Sequence, residues 1–189
     1  MLRRLKLQMQ VSVDGYNAAG PNDEQKWVTW DLEGVRPRVL ELLDSADTIL
    51  IGRKLALDYI PFWQNTAENA ADPMHDFATR IVAAHKVVFT KTLAEAPWPN
   101  TRLATGDLKE EVLKLKAQSG KDILVYGGSS FVEALLRAEL IDEFHFFLNP
   151  IALGKGASAF SQIEEWQALA LKTAVPLPSG LVLLHYERR

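Results

Sequence analysis

Three short runs, Thr48–Gly52 (TILIG), Lys86–Thr90 (KVVFT) and Asp122–Tyr126 (DILVY), are apolar and β-branched through their centres, without polar alternation. A strand of that kind has no face to give to water. It must be covered on both sides, which is the condition of a mainly parallel sheet held between helices. The segments between the runs supply the covers. Val35–Ser45, with Pro37 near its first turn, and a stretch from about Met74 to Ala84 read as helices. LKEEVLKLKAQ, from Leu108, reads as another, opened by Asp107 and Glu110 at capping-box spacing. Ser130 and Glu133 repeat that spacing ahead of an apolar helical face made by Phe131, Ala134, Leu135 and Ala138.

Leu5–Val13 behaves differently. Its odd positions are apolar and its even ones Lys, Gln, Gln and Ser, the period of a half-covered strand, and it stops at the turn Asp14-Gly15-Tyr16. YIPFW, Tyr59–Trp63, reads as part of a loop carrying an aromatic patch, and RLAT, Arg102–Thr105, as a short strand. In the tail, EFHFFLNPIAL, ALALKTAV and LVLLHYE read as three strands, the last two joined by PLPSG in a hairpin. The expectation is one α/β domain over residues 1–189, a three-layer α/β/α fold. Its sheet is mixed but mostly parallel, with a C-terminal antiparallel hairpin.

Charge and composition narrow the chemistry. A net charge of −3 offers no general attraction to nucleic acid or to an anionic membrane, so the expected partner is a small molecule whose phosphates are held by local groups. The absence of cysteine removes disulfides and thiolate chemistry and suits a cytoplasmic protein. His75, His85, His145 and His185 show no H-x-x-x-H spacing, so no zinc site is expected. The alternation in MLRRLKLQMQVSVDGY is unlike the apolar core of a signal peptide. Neither a P-loop nor a G-x-S-x-G elbow occurs. GKGASA, Gly154–Ala159, matches G-x-G-x-x-A in form only, since Asn-Pro rather than a strand leads into it and no acidic residue completes a ribose-binding unit.

Ligands of parallel sheets bind outside the carboxyl ends of the strands, and four such ends carry suitable residues. Gly127 and Gly128 let backbone approach an anion at a helix N-terminus, with Ser129 and Ser130 adding hydroxyls. Gly52 is followed by Arg53 and Lys54, while Thr90 and Lys91 end the KVVF run. Each group taken singly also fits a plain turn or a solvated surface. Their placement at the same sheet edge is what suits a long polyanion such as a dinucleotide.

SVDGY, TILIGRK, VVFTKTL, VYGGSSF and DEFHFFLNPIALGKGASAF together resemble the dihydrofolate reductase-like superfamily. The nearest branch is the reductase domain at the C-terminus of the bifunctional riboflavin-biosynthesis deaminase-reductase. The resemblance covers nearly the whole chain and implies an NADPH-dependent reductase, similar to 5-amino-6-(5-phosphoribosylamino)uracil reductase, and a homodimer. It places Gly52, Arg53, Lys54, Thr90 and Lys91 at the adenosine-side phosphates. Gly127, Gly128, Ser129 and Ser130 fall around the pyrophosphate, and Asp14 and Gly15 near the nicotinamide. In the folate enzymes a first-helix carboxylate orients the pterin, which points to Asp31 or Glu33 here. Tyr16, Trp27 and Trp30, with Phe62 and Trp63, are candidates for stacking on a flat ring. Two departures concern the substrate: Tyr16 stands where riboflavin-pathway reductases have lysine, and Leu55 where G-R-x-T enzymes have threonine. No deaminase step is expected on this chain. A dihydrofolate reductase-type enzyme and a non-catalytic NADP(H)-binding protein are the alternatives.

Overall fold

The computed structural model describes residues 2–20, 23 and 25–189. One eight-stranded sheet contains β1 (Leu5–Ser12), β2 (Ala46–Gly52), β3 (His85–Phe89), β4 (Thr101–Ala104), β5 (Asp122–Gly127), β6 (Glu143–Asn149), β7 (Leu169–Pro176) and β8 (Val182–Arg188), in the order β4-β3-β2-β5-β1-β6-β8-β7. From β4 to β6 every neighbouring pair is parallel. Only β8 runs against its neighbours, β6 and β7. Gly180, at φ +89, donates to Leu177 in the expected β7–β8 hairpin connection.

The helices are α1 (Leu32–Ser45), α2 (Arg53–Glu68), α3 (His75–Ala83), α4 (Leu108–Lys116) and α5 (Ser129–Arg137). They explain the unalternating strands. Leu50, Val87, Ile123 and Val125 pack against α4 and α5 on one face, while Ile49, Ile51, Val88 and Leu124 pack against α1, α2 and α3 on the other. The strand β1 sits between β5 and β6, yet only Leu5, Leu7, Met9 and Val11 join the α4/α5 core. Gln8 and Gln10 on its opposite face line a cavity, which is why a central strand keeps polar residues at alternate positions.

Three local expectations change. Asp31 Oδ1 accepts from the Gly34 N–H at 2.9 Å, so α1 starts at Leu32 rather than Val35. YIPFW is not loop but part of α2, with Pro61 inside the helix. An interior proline costs about 3 kcal/mol, but Leu55, Ala56, Tyr59, Ile60 and Trp63 recur at helical spacing, and their packing against the sheet and neighbouring helices outweighs it. Ser130 is not a helix cap. Gly128 is the N-cap of α5 and supplies no side-chain acceptor, while Ser130 is exposed within the first turn. Asp107, by contrast, accepts from the Glu110 N–H at 3.0 Å as expected.

Candidate active site

The turn from β5 into α5 is the best-defined part of the sheet edge. Gly127 has φ +127, a conformation that side-chain-bearing residues rarely adopt. At Gly128, which follows a cis peptide bond, a Cβ would meet nothing within 4 Å, so open space borders the backbone. With no side chain capping α5, its first N–H groups and dipole end remain suited to an anion. Gly52 lies close by: a Cβ there would come within 3.0 Å of Phe131 Cβ and 3.8 Å of the Gly128 nitrogen. The uncapped N-termini of α2 and α5 therefore converge.

Arg53 and Lys54 open α2, and among the described residues no hydrogen bond or ion pair engages either side chain. Lys91 Nζ donates to the carbonyls of Thr105 and Gly106 at 2.7 and 2.8 Å. Thr90 is buried, and its hydroxyl accepts from the N–H groups of Thr92 and Leu93, closing the turn after β3. Asp14 has a similar clamping position. Its carboxylate accepts from the Ser12 hydroxyl and from the N–H groups of Gly154 and Leu153, which hold its pKa down at about 2. The GKG segment is thus a loop tied to the end of β1. Gly15 makes the turn itself, at φ +86.

A cavity of about 750 Å³ opens between this turn, β1 and helices α1 to α3. Gly127, Gly128 and Ser129 form one side, and Trp30, Tyr59, Phe62 and Trp63 contribute an aromatic wall. Asp31 lines the cavity while capping α1, and its Oδ2 accepts from Ser179 Oγ at 2.6 Å. That hydroxyl, followed by the Gly34 N–H, holds the Asp31 carboxyl below the usual range. Glu33 is on the outer side of α1, beside Arg36. Among the stacking candidates, Trp30 and the Phe62–Trp63 pair reach the cavity. Trp27 is buried and its indole N–H donates to Asp23 at 2.8 Å, while the Tyr16 ring lies near Gly156; neither lines the cavity.

Next to Gln8, though outside the cavity lining, a charged cluster occupies the β6–β8 pairing. Glu143 Oε2 lies 3.2 Å from His145 Nε2 and 3.3 Å from His185 Nε2, and the two rings stack at 4.3 Å. Chain spacing hid this pair, which the antiparallel register brings face to face. The rings are within 20° of parallel, so their in-plane lone pairs do not converge as they would on one ion, and Arg4 Nε lies 3.0 Å from the other Glu143 oxygen. Burial opposes the Glu143 charge, but the His145 hydrogen bond, Lys6 and Arg4 outweigh it and lower its pKa.

The family model for the RibD C-terminal domain matches residues 3–183. The chain belongs to that family. Its relative YyaP of Bacillus subtilis, itself uncharacterized, is 31% identical over 188 residues, covering 97% of this chain and 94% of its own. The RibD fold is equally clear in solved structures. The diaminohydroxyphosphoribosylaminopyrimidine deaminase/5-amino-6-(5-phosphoribosylamino)uracil reductase of Thermotoga maritima superposes with a TM-score of 0.70 at 20% identity, over 100% of this chain and 57% of that protein. A dihydrofolate reductase of Enterococcus faecalis, complexed with NADP(H) and RAB-propyl, gives 0.60 at 13%, over 100% and 99%. The dihydrofolate reductase-like fold read from the five motifs is therefore the fold of this RibD-family domain.

Within it, sequence reading missed Asn17, Tyr59 and Tyr126, all of which line the cavity. Asn17 spans two elements, its Nδ2 donating to Ser129 Oγ and its Oδ1 accepting from the Ala159 N–H. The polar alternation of β1 was a signal for the cavity wall on the face opposite the core, at Gln8 and Gln10, but it pointed to none of these three.

Proposed function

We propose that this protein is an NADPH-dependent reductase that transfers hydride to a small flat heterocycle. The observation that carries this reading is the meeting, in one cavity, of the open backbone at Gly128, the aromatic wall and the Asp31 carboxylate. NADPH, when bound, supplies the hydride. Gly127, Gly128, Ser129 and Ser130 would hold its pyrophosphate, and the unengaged Arg53 and Lys54, with Lys91, its adenosine-side phosphates. Gly52 and Thr90 shape that edge, and Asp14 and Gly15 fix the turn beside the nicotinamide end. Trp30, Phe62 and Trp63 would cover the substrate ring and exclude water, and Asp31 would accept a substrate N–H and orient it. Family membership supports the reductase class.

A titration of reduced-nicotinamide fluorescence, followed by loss of its absorbance with pyrimidine, dihydropterin and carbonyl compounds, tests the proposal. Tight NADPH binding with turnover is expected. Binding without turnover on any candidate would favour a non-catalytic NADP(H)-binding protein, and turnover on dihydrofolate would make the folate-type reading correct. Assembly as a homodimer belongs to the same proposal. The outermost strand β7 leaves Leu171 and Val175 exposed, and sedimentation would test whether a second copy covers them.

A further inference from the structure

The cavity has a marked charge character. Among the described residues that line it there is no lysine, arginine or histidine, and its charged groups are the carboxylates Asp23 and Asp31. Both stay ionised near neutral pH. Asp23 does so against burial, because Trp27 and the N–H groups of Ala19 and Gln25 donate to it. The cations at this sheet edge, Arg53, Lys54 and Lys91, follow β2 and β3 and lie outside the lining. With the Gly127–Ser129 side of the cavity given to the cofactor's pyrophosphate, a further phosphate carried by the substrate would lose its hydration, meet Asp23 and Asp31 and gain no ion pair, a combination that disfavours binding.

The uncharged groups are arranged differently. The Tyr59 and Tyr126 hydroxyls and Gln8 Oε1 are closed off from solvent without hydrogen-bond partners, though Trp63 approaches the Tyr59 hydroxyl. Burial pushes both tyrosine pKa values up, so the hydroxyls persist as neutral donors. Around them the wall is aromatic and aliphatic. We infer that the molecule reduced here is an uncharged flat ring compound bearing carbonyl or amide groups and no phosphate. It therefore differs in substrate class from the phosphoribosyl compound named for the Thermotoga maritima relative. The inference rests on the reductase reading for the word "reduced", but the binding preference stands separately from it.

The test uses matched pairs differing only in a phosphate: riboflavin with its 5′-phosphate, and 5-amino-6-(ribosylamino)uracil with its 5′-phosphate. Each is titrated against the protein saturated with NADP⁺, and quenching of tryptophan fluorescence is read, since Trp30 and Trp63 line the cavity. The phosphate-free member is expected to bind at least tenfold tighter in one pair or both, and in neither pair should the phosphate improve affinity. Equal or tighter binding of the phosphorylated members, or binding by no member, overturns the inference. Asp31→Asn, which keeps a capping side chain, should shrink the preference severalfold by removing one repelling charge. An unchanged ratio in that variant counts against the electrostatic argument. Cofactor affinity is measured in parallel by nicotinamide fluorescence, so its failure would sink the reductase reading while leaving the ring preference decided.

Discussion

Asn17 Nδ2 donates to Ser129 Oγ across 2.7 Å, joining the loop after β1 to the first residue of α5. The same amide accepts from the Ala159 N–H, so one side chain fixes three segments around the cavity mouth. Its replacement by alanine removes both bonds without opening the core. Asn17→Ala is expected to lower kcat/KM by about 10- to 100-fold while changing stability by about 1–2 kcal/mol. Steady-state kinetics and urea unfolding on the same preparation measure the two effects separately.

The two glycines that approach each other make opposite predictions. A methyl at Gly128 enters open space at φ −72, whereas one at Gly52 comes within 3.0 Å of Phe131 Cβ. Gly128→Ala should leave the unfolding midpoint nearly unchanged but weaken NADPH at least tenfold. Gly52→Ala should lose roughly 1–3 kcal/mol of stability through overpacking. If Gly128→Ala binds NADPH like the parent, the backbone cradle is wrongly placed.

Arg53 lacks an ion-pair partner among the described residues, and Lys91 already points at carbonyl oxygens across the strand ends. Removing either cation should weaken NADPH about tenfold, or about 1.4 kcal/mol, and leave NADH largely unaffected. Parallel titrations of both nucleotides with Arg53→Ala and Lys91→Ala give the comparison. Equal losses for the two would place these cations away from the distinguishing phosphate.

Acid should loosen the β6–β8 pairing in two stages. His185 is held below its usual pKa by burial and then by His145, so the unfolded chain binds its proton first, and stability falls as pH drops below about 6.5. Glu143, also depressed, contributes stability above its unfolded pKa of about 4.3, which is lost as pH falls through the lower folded value. Lys6, Arg4, Arg38 and Glu187 act on the same pair. Urea unfolding between about pH 3 and 8 should show a positive slope of stability with pH. His185→Leu should flatten its upper part and leave the lower one.

The strands were legible because unalternating β-branched runs have few places to go except a sheet covered on both faces, and the glycine turn because few other residues tolerate its backbone. The helix α2 was not, since Pro61 and a cluster of aromatics imitate a loop when tertiary burial is unseen. Asp31 was readable as one of two acids, but its place as the N-cap of α1, with Ser179 donating to it, sets it at the cavity, while the helix carries Glu33 to the outer side. The His145–His185 pair was beyond reach for a different reason: its members are far apart in the chain, and register across the sheet creates the contact. Asn17 meets Ser129 and Ala159 only because the loop after β1 folds onto distant segments.

The position of β1 at the centre of the sheet also governs how the molecule comes into being. Leu5 pairs with Ile123 and Lys6 with Glu143, so β1 has neither neighbour until the chain has been made beyond both of those residues. Closing such distant contacts slows folding and leaves an unpaired apolar strand exposed meanwhile. Leu5, Leu7, Met9 and Val11 are thus an adhesive stretch of the nascent chain, and truncations ending before β5 should emerge as chaperone clients or inclusion bodies rather than as smaller domains.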